Sequence, residues 1–282
     1  MLKTYFFVPA NNPTFVEKSR TIQSDYFIFD LEDSVGPGDV EMALESLKRI
    51  NPKPEHYVRP TFFSSESSAI DTELIECLIG AGFTGFIIPK FSDIAQLKEI
   101  KLMFESFSAY TPEKFRFVLL VEHPAGLLCV KEAIQQSGLH IVALGLGNHD
   151  YCNAMGMQHN LHNLYFARQI ILNAAKAFGL DAIDIVSLDY TNEEKFCNEV
   201  FDGFSMGFDS KFIIHPNQLQ LIRKVQYYSE EEVLEAQELY PQILDMIQHK
   251  TALFTYNGKV FEKPHINRIL KIINWHNSHG NK

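Results

Sequence analysis

Short apolar runs, rich in β-branched and aromatic residues, recur along the chain between longer stretches of helical spacing. Eight of them read as strands: TYFFVP (4–9), YFIFDL (26–31), HYVRPT (56–61), GFIIPK (85–90), RFVLLVE (116–122), HIVALG (140–145), AIDIVSLD (182–189) and KFIIHP (211–216). Several are apolar throughout rather than alternating, as strands covered on both faces are. The segments between them carry helix signals. NPTFVEKSRTIQ has Pro13 near a helix start, DVEMALESLKRI has Asp39 as an N-cap, and SSAIDTELIECLIGAG runs out on Gly80 and Gly82. SDIAQLKEIKLMFESF, AGLLCVKEAIQQSG, NLYFARQIILNAAKAFG, TNEEKFCNEVFDGFSMG and NQLQLIRKVQYY continue the series.

Strand and helix therefore alternate at about thirty residues per unit, the size of a βαβ element. The pattern predicts an α/β fold, a (β/α)8 TIM barrel, over residues 1–228. An open doubly wound sheet is the rival, and no phosphate-binding glycine fingerprint follows the first strand to support it. Residues 229–282 form a C-terminal extension: an acidic amphipathic helix interrupted near Pro241, a hairpin turning at Asn257-Gly258, and a closing helix.

The strand ends are where charge collects. Asp30, Glu32 and Asp33 close the second run, Arg59 the third, Lys90 the fourth and Glu122 the fifth, while Asp150 follows the sixth after a short loop. In a parallel barrel these ends share one face, and that face carries the chemistry. Glu122 and Asp150 make a hard-oxygen pair suited to Mg²⁺, or each caps a helix or pairs with a nearby cation. Asp30, Glu32 and Asp33 repel one another unless a cation separates them; they support the same ion, or some of them only cap a turn. Arg59 either grips a substrate carboxylate in bidentate fashion or neutralises the Asp30–Asp33 cluster. For Lys90 and Lys211 an ion pair is the default reading. His215 reads as an orienting hydrogen-bond partner, and His123 and His149 flank the candidate metal acids. No nucleophile elbow and no Cys/His pair at informative spacing is present.

The chain has 282 residues, 46% hydrophobic and 21% charged, with net charge −10, a balance that argues against nucleic acid as a main partner. The four cysteines form no CxxC pair, as expected for reduced thiols in a cytoplasmic protein. The N-terminal apolar run is too short for a signal-peptide core, and no stretch approaches membrane-spanning length.

FFVPANNP, DLEDSV, YVRPT, GFIIPK, LLVEHPAG, GLGNHDYCNAMG, AAKAFGLDAIDIV and MGFDSKFIIHPNQL follow one order over nearly the whole chain. Together they resemble the citrate lyase beta-subunit-like branch of the HpcH/HpaI aldolase family, which includes malyl-CoA and citramalyl-CoA lyases and related thioesterases. The resemblance implies a TIM barrel with Mg²⁺ held by Glu122 and Asp150, and Arg59 on the carboxylate or oxo group of a small 2-oxo or 2-hydroxy acid. It implies a carbon–carbon lyase of aldol or Claisen type whose other fragment is a CoA thioester. It also implies a homo-oligomer, because in CoA-dependent members a C-terminal segment covers the neighbouring subunit's site and brings a catalytic aspartate; Glu262 stands at that position here. An acyl-CoA thioesterase, a CoA-independent aldolase and a non-catalytic metabolite-binding subunit are the alternatives. Ala10, Lys3, Thr61, His123 and Ser210 depart from the family pattern and are expected to alter the rim of the site.

Overall fold

The computed structural model describes residues 2–63, 70–249 and 252–279, so 67–69 of the expected third helix and the last three residues of the extension lie outside the described residues. The chain forms two compact units, Leu2–Lys224 and Val225–Lys282.

In the first unit β1 (Lys3–Pro9), β2 (Tyr26–Asp30), β3 (His56–Arg59), β4 (Gly85–Ile88), β5 (Arg116–Val121), β6 (Ile141–Leu146), β7 (Asp181–Asp184) and β8 (Ser210–Ile213) pair in chain order, all parallel. β1 closes on β8, with Lys3 opposite Ser210 and Phe6 opposite Ile213. The eight apolar runs are thus the staves of a closed TIM barrel. Side chains at alternate positions fill its interior: Tyr5, Ile28, Tyr57, Ile87, Val118, Leu120, Ala143, Ile183 and Phe212 form one buried cluster. Tyr5 stacks on Tyr26 with ring centroids 4.4 Å apart. Burying each Ile, Val, Leu or Phe side chain of this cluster contributes about 1.5–3 kcal/mol. The opposite positions, such as Phe86 and Phe117, pack on Phe104 of the helix Ile94–Ser106.

β7 and β8 stop earlier than their apolar runs. Past Asp184 the backbone leaves the sheet, and its polar groups are taken by side chains instead. Lys211 Nζ donates to the Ile185 carbonyl at 2.9 Å, and Asn148 both accepts from Val186 N and donates to Val186 O at 3.0 Å. The run IVSLD is therefore a clamped loop, not strand.

Several helix starts follow polar caps in the sequence. Asn12, Asp71, Asp93, Asn160 and Asn192 each accept from a backbone N–H in the first helical turn. Asp39 stands at the N-cap position of Val40–Leu47 but makes no cap bond. A short 3₁₀ turn, Pro37–Asp39, precedes that helix, and the Asp39 carboxylate accepts from Asn11 Nδ2 at 3.3 Å.

Between barrel and helices lies a buried ionic group. Arg168, 1% exposed, donates through Nε and Nη2 to Asp184 at 2.9 and 3.0 Å and through Nη1 to Asp202 at 2.6 Å. The Lys211 ammonium, fully buried, is 3.8 Å from Asp184, and burial pushes its pKa down. The ion pair expected for Lys211 is therefore loose, and the carbonyl is its nearer partner.

In the second unit the helices Glu230–His249 and Lys263–His279 bury one seam, Val233, Ala236, Leu239 and Ile243 against Ile266, Ile269, Ile272 and Ile273. Pro241 does not interrupt the first of these helices. The buried Leu239 and Ile243 on either side hold the segment helical and outweigh the lost backbone bond. β9 (Leu253–Tyr256) and β10 (Lys259–Glu262) form the hairpin, with Asn257 at φ 47° and Gly258 at φ 73°, as a type I′ turn requires. Among the described residues no helix is long and apolar enough to cross a membrane.

Arg168→Met strands the Asp184 charge in the interior and is expected to cost about 3–5 kcal/mol, read as a lowered urea midpoint. A loss below about 1 kcal/mol would mean that Asp184 does not depend on Arg168.

Candidate functional site

Asp30 and Arg59 are register partners on β2 and β3. Their side chains meet as a buried bidentate pair, Nε to Oδ1 at 2.7 Å and Nη2 to Oδ2 at 2.8 Å, with side-chain exposures of 8% for Arg59 and 5% for Asp30. The same carboxylate accepts from the backbone N–H groups of Glu32 and Ser34, each at 3.2 Å, and so folds the turn that follows β2. Burial works against the Asp30 anion, but the Arg59 hydrogen bonds outweigh it and hold the pKa below the usual carboxylate range.

The remaining guanidinium nitrogen faces three further acids. Arg59 Nη1 lies 3.1 Å from Glu32, 3.2 Å from Asp33 and 3.8 Å from Glu122. The Glu32 contact is electrostatic only, because buried Oε2 makes no aligned hydrogen bond. Of the two roles open to Arg59, neutralising the acid cluster is the one seen. Its bidentate edge is occupied by Asp30, which leaves only Nη1 facing the other acids.

Lys90 follows β4 with φ at 51°, a left-handed conformation rare outside glycine. That turn aims its backbone N–H at Glu122 Oε2, 2.8 Å away, while its ammonium lies 2.6 Å from Glu32 and 2.7 Å from Asp33. Burial opposes the Lys90 cation, but the hydrogen bonds it donates to Asp33 and Glu32 raise its pKa. The expected ion pair is thus present, and its partners are acids of the site itself.

Glu122 follows β5 and is 4% exposed. Its carboxyl is pushed up to about 8 by burial and then by the nearby Glu32 charge, against the pull of Arg59. Glu122 packs over Gly147, where a Cβ would come within 2.3 Å of Glu122 Cγ, so only glycine leaves it room. Asp150 lies in the first turn of the helix Asn148–Met155, with its side chain 45% exposed and 3.8 Å from Lys90 Nζ.

These groups open into a cleft of about 280 Å³ at the C-terminal ends of the strands. Arg59, Glu122 and Asp150 form its polar floor, and Phe7, Val186 and Phe212 form an apolar wall. Among the described residues, Glu32, Asp33 and Glu122 offer carboxylate oxygens within 4.8 Å of one another, a grouping able to hold a metal ion. Glu32 and Asp33, read from sequence as support, therefore converge with Glu122 directly. Asp150 lies outside that grouping but lines the same cleft. Glu262 lies on exposed β10 of the second unit.

The histidines have structural roles. His123 caps Pro124–Leu128, with Nδ1 accepting from Ala125 N at 3.2 Å. His215 caps Pro216–Ile222 and stacks on Tyr190. His149, in the helix Asn148–Met155, stacks on His159 of the loop beyond it with centroids 4.4 Å apart, a contact that no sequence signal marks. Two of the family departures lie far from the rim: Lys3 pairs with Asp181 at 3.0 Å, and Ser210 donates to Asp181 at 3.1 Å, both at the N-terminal end of the barrel. Sequence reasoning missed Arg168 and Asn148. An arginine inside the apolar helix run NLYFARQIILNAA was the available signal for the first.

A family model described as HpcH/HpaI aldolase/citrate lyase matches residues 3–216. The chain is 26% identical to the citrate lyase subunit beta of Leuconostoc mesenteroides subsp. cremoris, covering 96% of this chain and 93% of the relative. It is 27% identical to the mitochondrial citramalyl-CoA lyase of Homo sapiens, covering 93% and 82%. Its fold superposes on protein CitE from Mycobacterium tuberculosis, crystallised with magnesium, acetoacetate and coenzyme A, with a TM-score of 0.77 at 24% identity over 97% of each chain. The citrate lyase beta subunit of the same organism, complexed with oxaloacetate and magnesium, gives 0.67 at 27% identity, covering 81% of this chain and 97% of the other. With its closed barrel and with the family pattern running from β1 through β8, the chain belongs to the HpcH/HpaI aldolase/citrate lyase family.

Proposed function

We propose that the protein is a magnesium-dependent carbon–carbon lyase that cleaves or forms an adduct of a small 2-oxo or 2-hydroxy acid, the other fragment being a CoA-type thioester. The observation that carries this reading is the acid cluster: five carboxylates, Asp30, Glu32, Asp33, Glu122 and Asp150, around two cations at the catalytic end of the barrel. The set fits Mg²⁺. Its donors are hard carboxylate oxygens, one of them, Glu32 Oε2, is buried without a hydrogen bond, and burial raises the Glu122 pKa, so that a divalent ion would bind there in competition with a proton. Glu122 and Asp150 are assigned as ligands, because Arg59 and Lys90 already neutralise much of the charge on Asp30, Glu32 and Asp33. When bound, the ion supplies a Lewis acid for the substrate oxygens and for the negative charge that develops as the carbon–carbon bond breaks.

The chain's own residues do the rest. Arg59 presents Nη1 to the substrate oxygens from a position that the Asp30 pair locks, so its charge needs no reorganisation during the reaction. Phe7, Val186 and Phe212 keep water from one side of the cleft. Glu262 of a second copy protonates the carbon of the departing enolate, the extension serving as a lid in trans. The free cysteines are in keeping with a cytoplasmic setting.

Turnover of malyl-CoA or citramalyl-CoA with Mg²⁺ tests the reaction. Release of an acyl-CoA with an oxo acid supports the lyase, whereas release of free CoA would mean a thioesterase. Glu122→Gln and Asp150→Asn are each expected to lower kcat/KM by at least 100-fold and to weaken Mg²⁺ binding in calorimetry; unchanged values for either would remove it from the site. Mixing inactive Glu122→Gln with inactive Glu262→Gln is expected to restore part of the activity through mixed oligomers. No restoration would place Glu262 in its own subunit's site or outside the chemistry.

The proton on Glu122 also sets a pH dependence. The folded pKa lies above the unfolded value of 4.5, so the native state holds a proton that the unfolded chain releases. The associated stabilisation is whole below about pH 4.5 and is lost as the pH rises through about 8. In metal-free buffer, the stability of the wild type relative to Glu122→Gln is expected to fall between those values and then level off. A difference that rises with pH in urea titrations would contradict the assignment.

A further inference from the structure

We propose that the Lys90 side chain is a resident counter-cation that withholds Glu32 and Asp33 from the metal ion until it is displaced, and thereby sets the affinity of the site. The inference rests on the metal reading above. The Lys90 ammonium lies 2.6 Å from Glu32 Oε1 and 2.7 Å from Asp33 Oδ1. These two residues, with Glu122, make up the grouping whose oxygens come within 4.8 Å of one another. An ammonium at such distances competes with a divalent ion for those carboxylates, because like charges repel at close range.

Of the two cations at the site, only Lys90 is built to leave. Arg59 is 8% exposed in its side chain and held along one edge by two hydrogen bonds to Asp30, whereas the Lys90 side chain is 50% exposed on a flexible stem. Its departure does not disturb Glu122, which is held by the Lys90 backbone N–H and not by the ammonium. One residue thus carries two separable functions: a backbone in the left-handed region that orients Glu122, and a head group that competes for its neighbours.

The test is Mn²⁺ binding, read from the loss of the free-ion EPR signal, on wild type, Lys90→Met, Asp33→Asn and the double variant. Lys90→Gly is a second probe, since glycine accepts φ of 51° without strain and keeps the backbone N–H. Removing the head group is expected to tighten Mn²⁺ binding at least tenfold. Asp33→Asn is expected to change affinity little in the wild-type background and to cancel most of the gain beside Lys90→Met. Unchanged or weaker binding in both Lys90 variants overturns the proposal and leaves the metal reading standing. A gain that survives Asp33→Asn in full also overturns it, since Lys90 would then act only through its field and would not withhold that ligand. If no variant and no wild-type protein binds Mn²⁺, the metal reading fails and this inference with it.

Discussion

The Arg59 guanidinium and the Asp30 carboxylate face each other from neighbouring parallel strands, with less than a tenth of either side chain in contact with solvent. The site depends on this pair. Burying a lone ion costs several kcal/mol, so the two are held together by each other's presence. Asp30 also accepts from the amides of Glu32 and Ser34, which bends the chain after β2 and brings Glu32 and Asp33 back over the guanidinium. Without Arg59, five carboxylates would meet in one partly buried cleft with a single lysine between them.

A second constraint acts from the other side of the cleft. The backbone after β7 runs through buried surroundings without a sheet partner, and its polar groups must still be paired. Lys211, Asn148 and Gln218, from three different elements, take the carbonyls of Ile185, Val186 and Ser187. Asn148 is the residue between Gly147, which gives Glu122 its space, and His149-Asp150. The clamp that holds the β7 loop therefore also fixes the start of the helix bearing Asp150. Val186, held on both backbone groups, forms part of the apolar wall. Packing and chemistry are thus coupled through buried amides, whereas the opposite end of the barrel, with Lys3, Ser210 and Asp181, serves closure alone.

Much of the fold was legible in the order of residues, because continuous apolar runs at βαβ spacing admit few other architectures. The eight strands, the Asn257-Gly258 turn and the closing helix follow from local signals that the structure preserves. Local signals failed where tertiary packing outweighed them. Pro241 sits within a continuous helix because buried residues flank it, and Asp39 leaves its cap for Asn11. The run after Asp184 looks like strand, yet side chains remote in sequence take its hydrogen bonds.

The sequence by itself determined the barrel, the face on which the charges gather and the identity of the acids at the strand ends. These depend on period and position along each strand, which are properties of the chain read in order. Only the tertiary structure decided which acid meets which cation. Glu32 and Asp33 share a lysine that follows β4 and an arginine from β3, while Glu122 draws its hydrogen bond from a backbone in an uncommon conformation. Such pairings form across gaps of about thirty to sixty residues by the closure of the sheet, and Coulombic and desolvation energies vary too steeply with distance for spacing to foretell them.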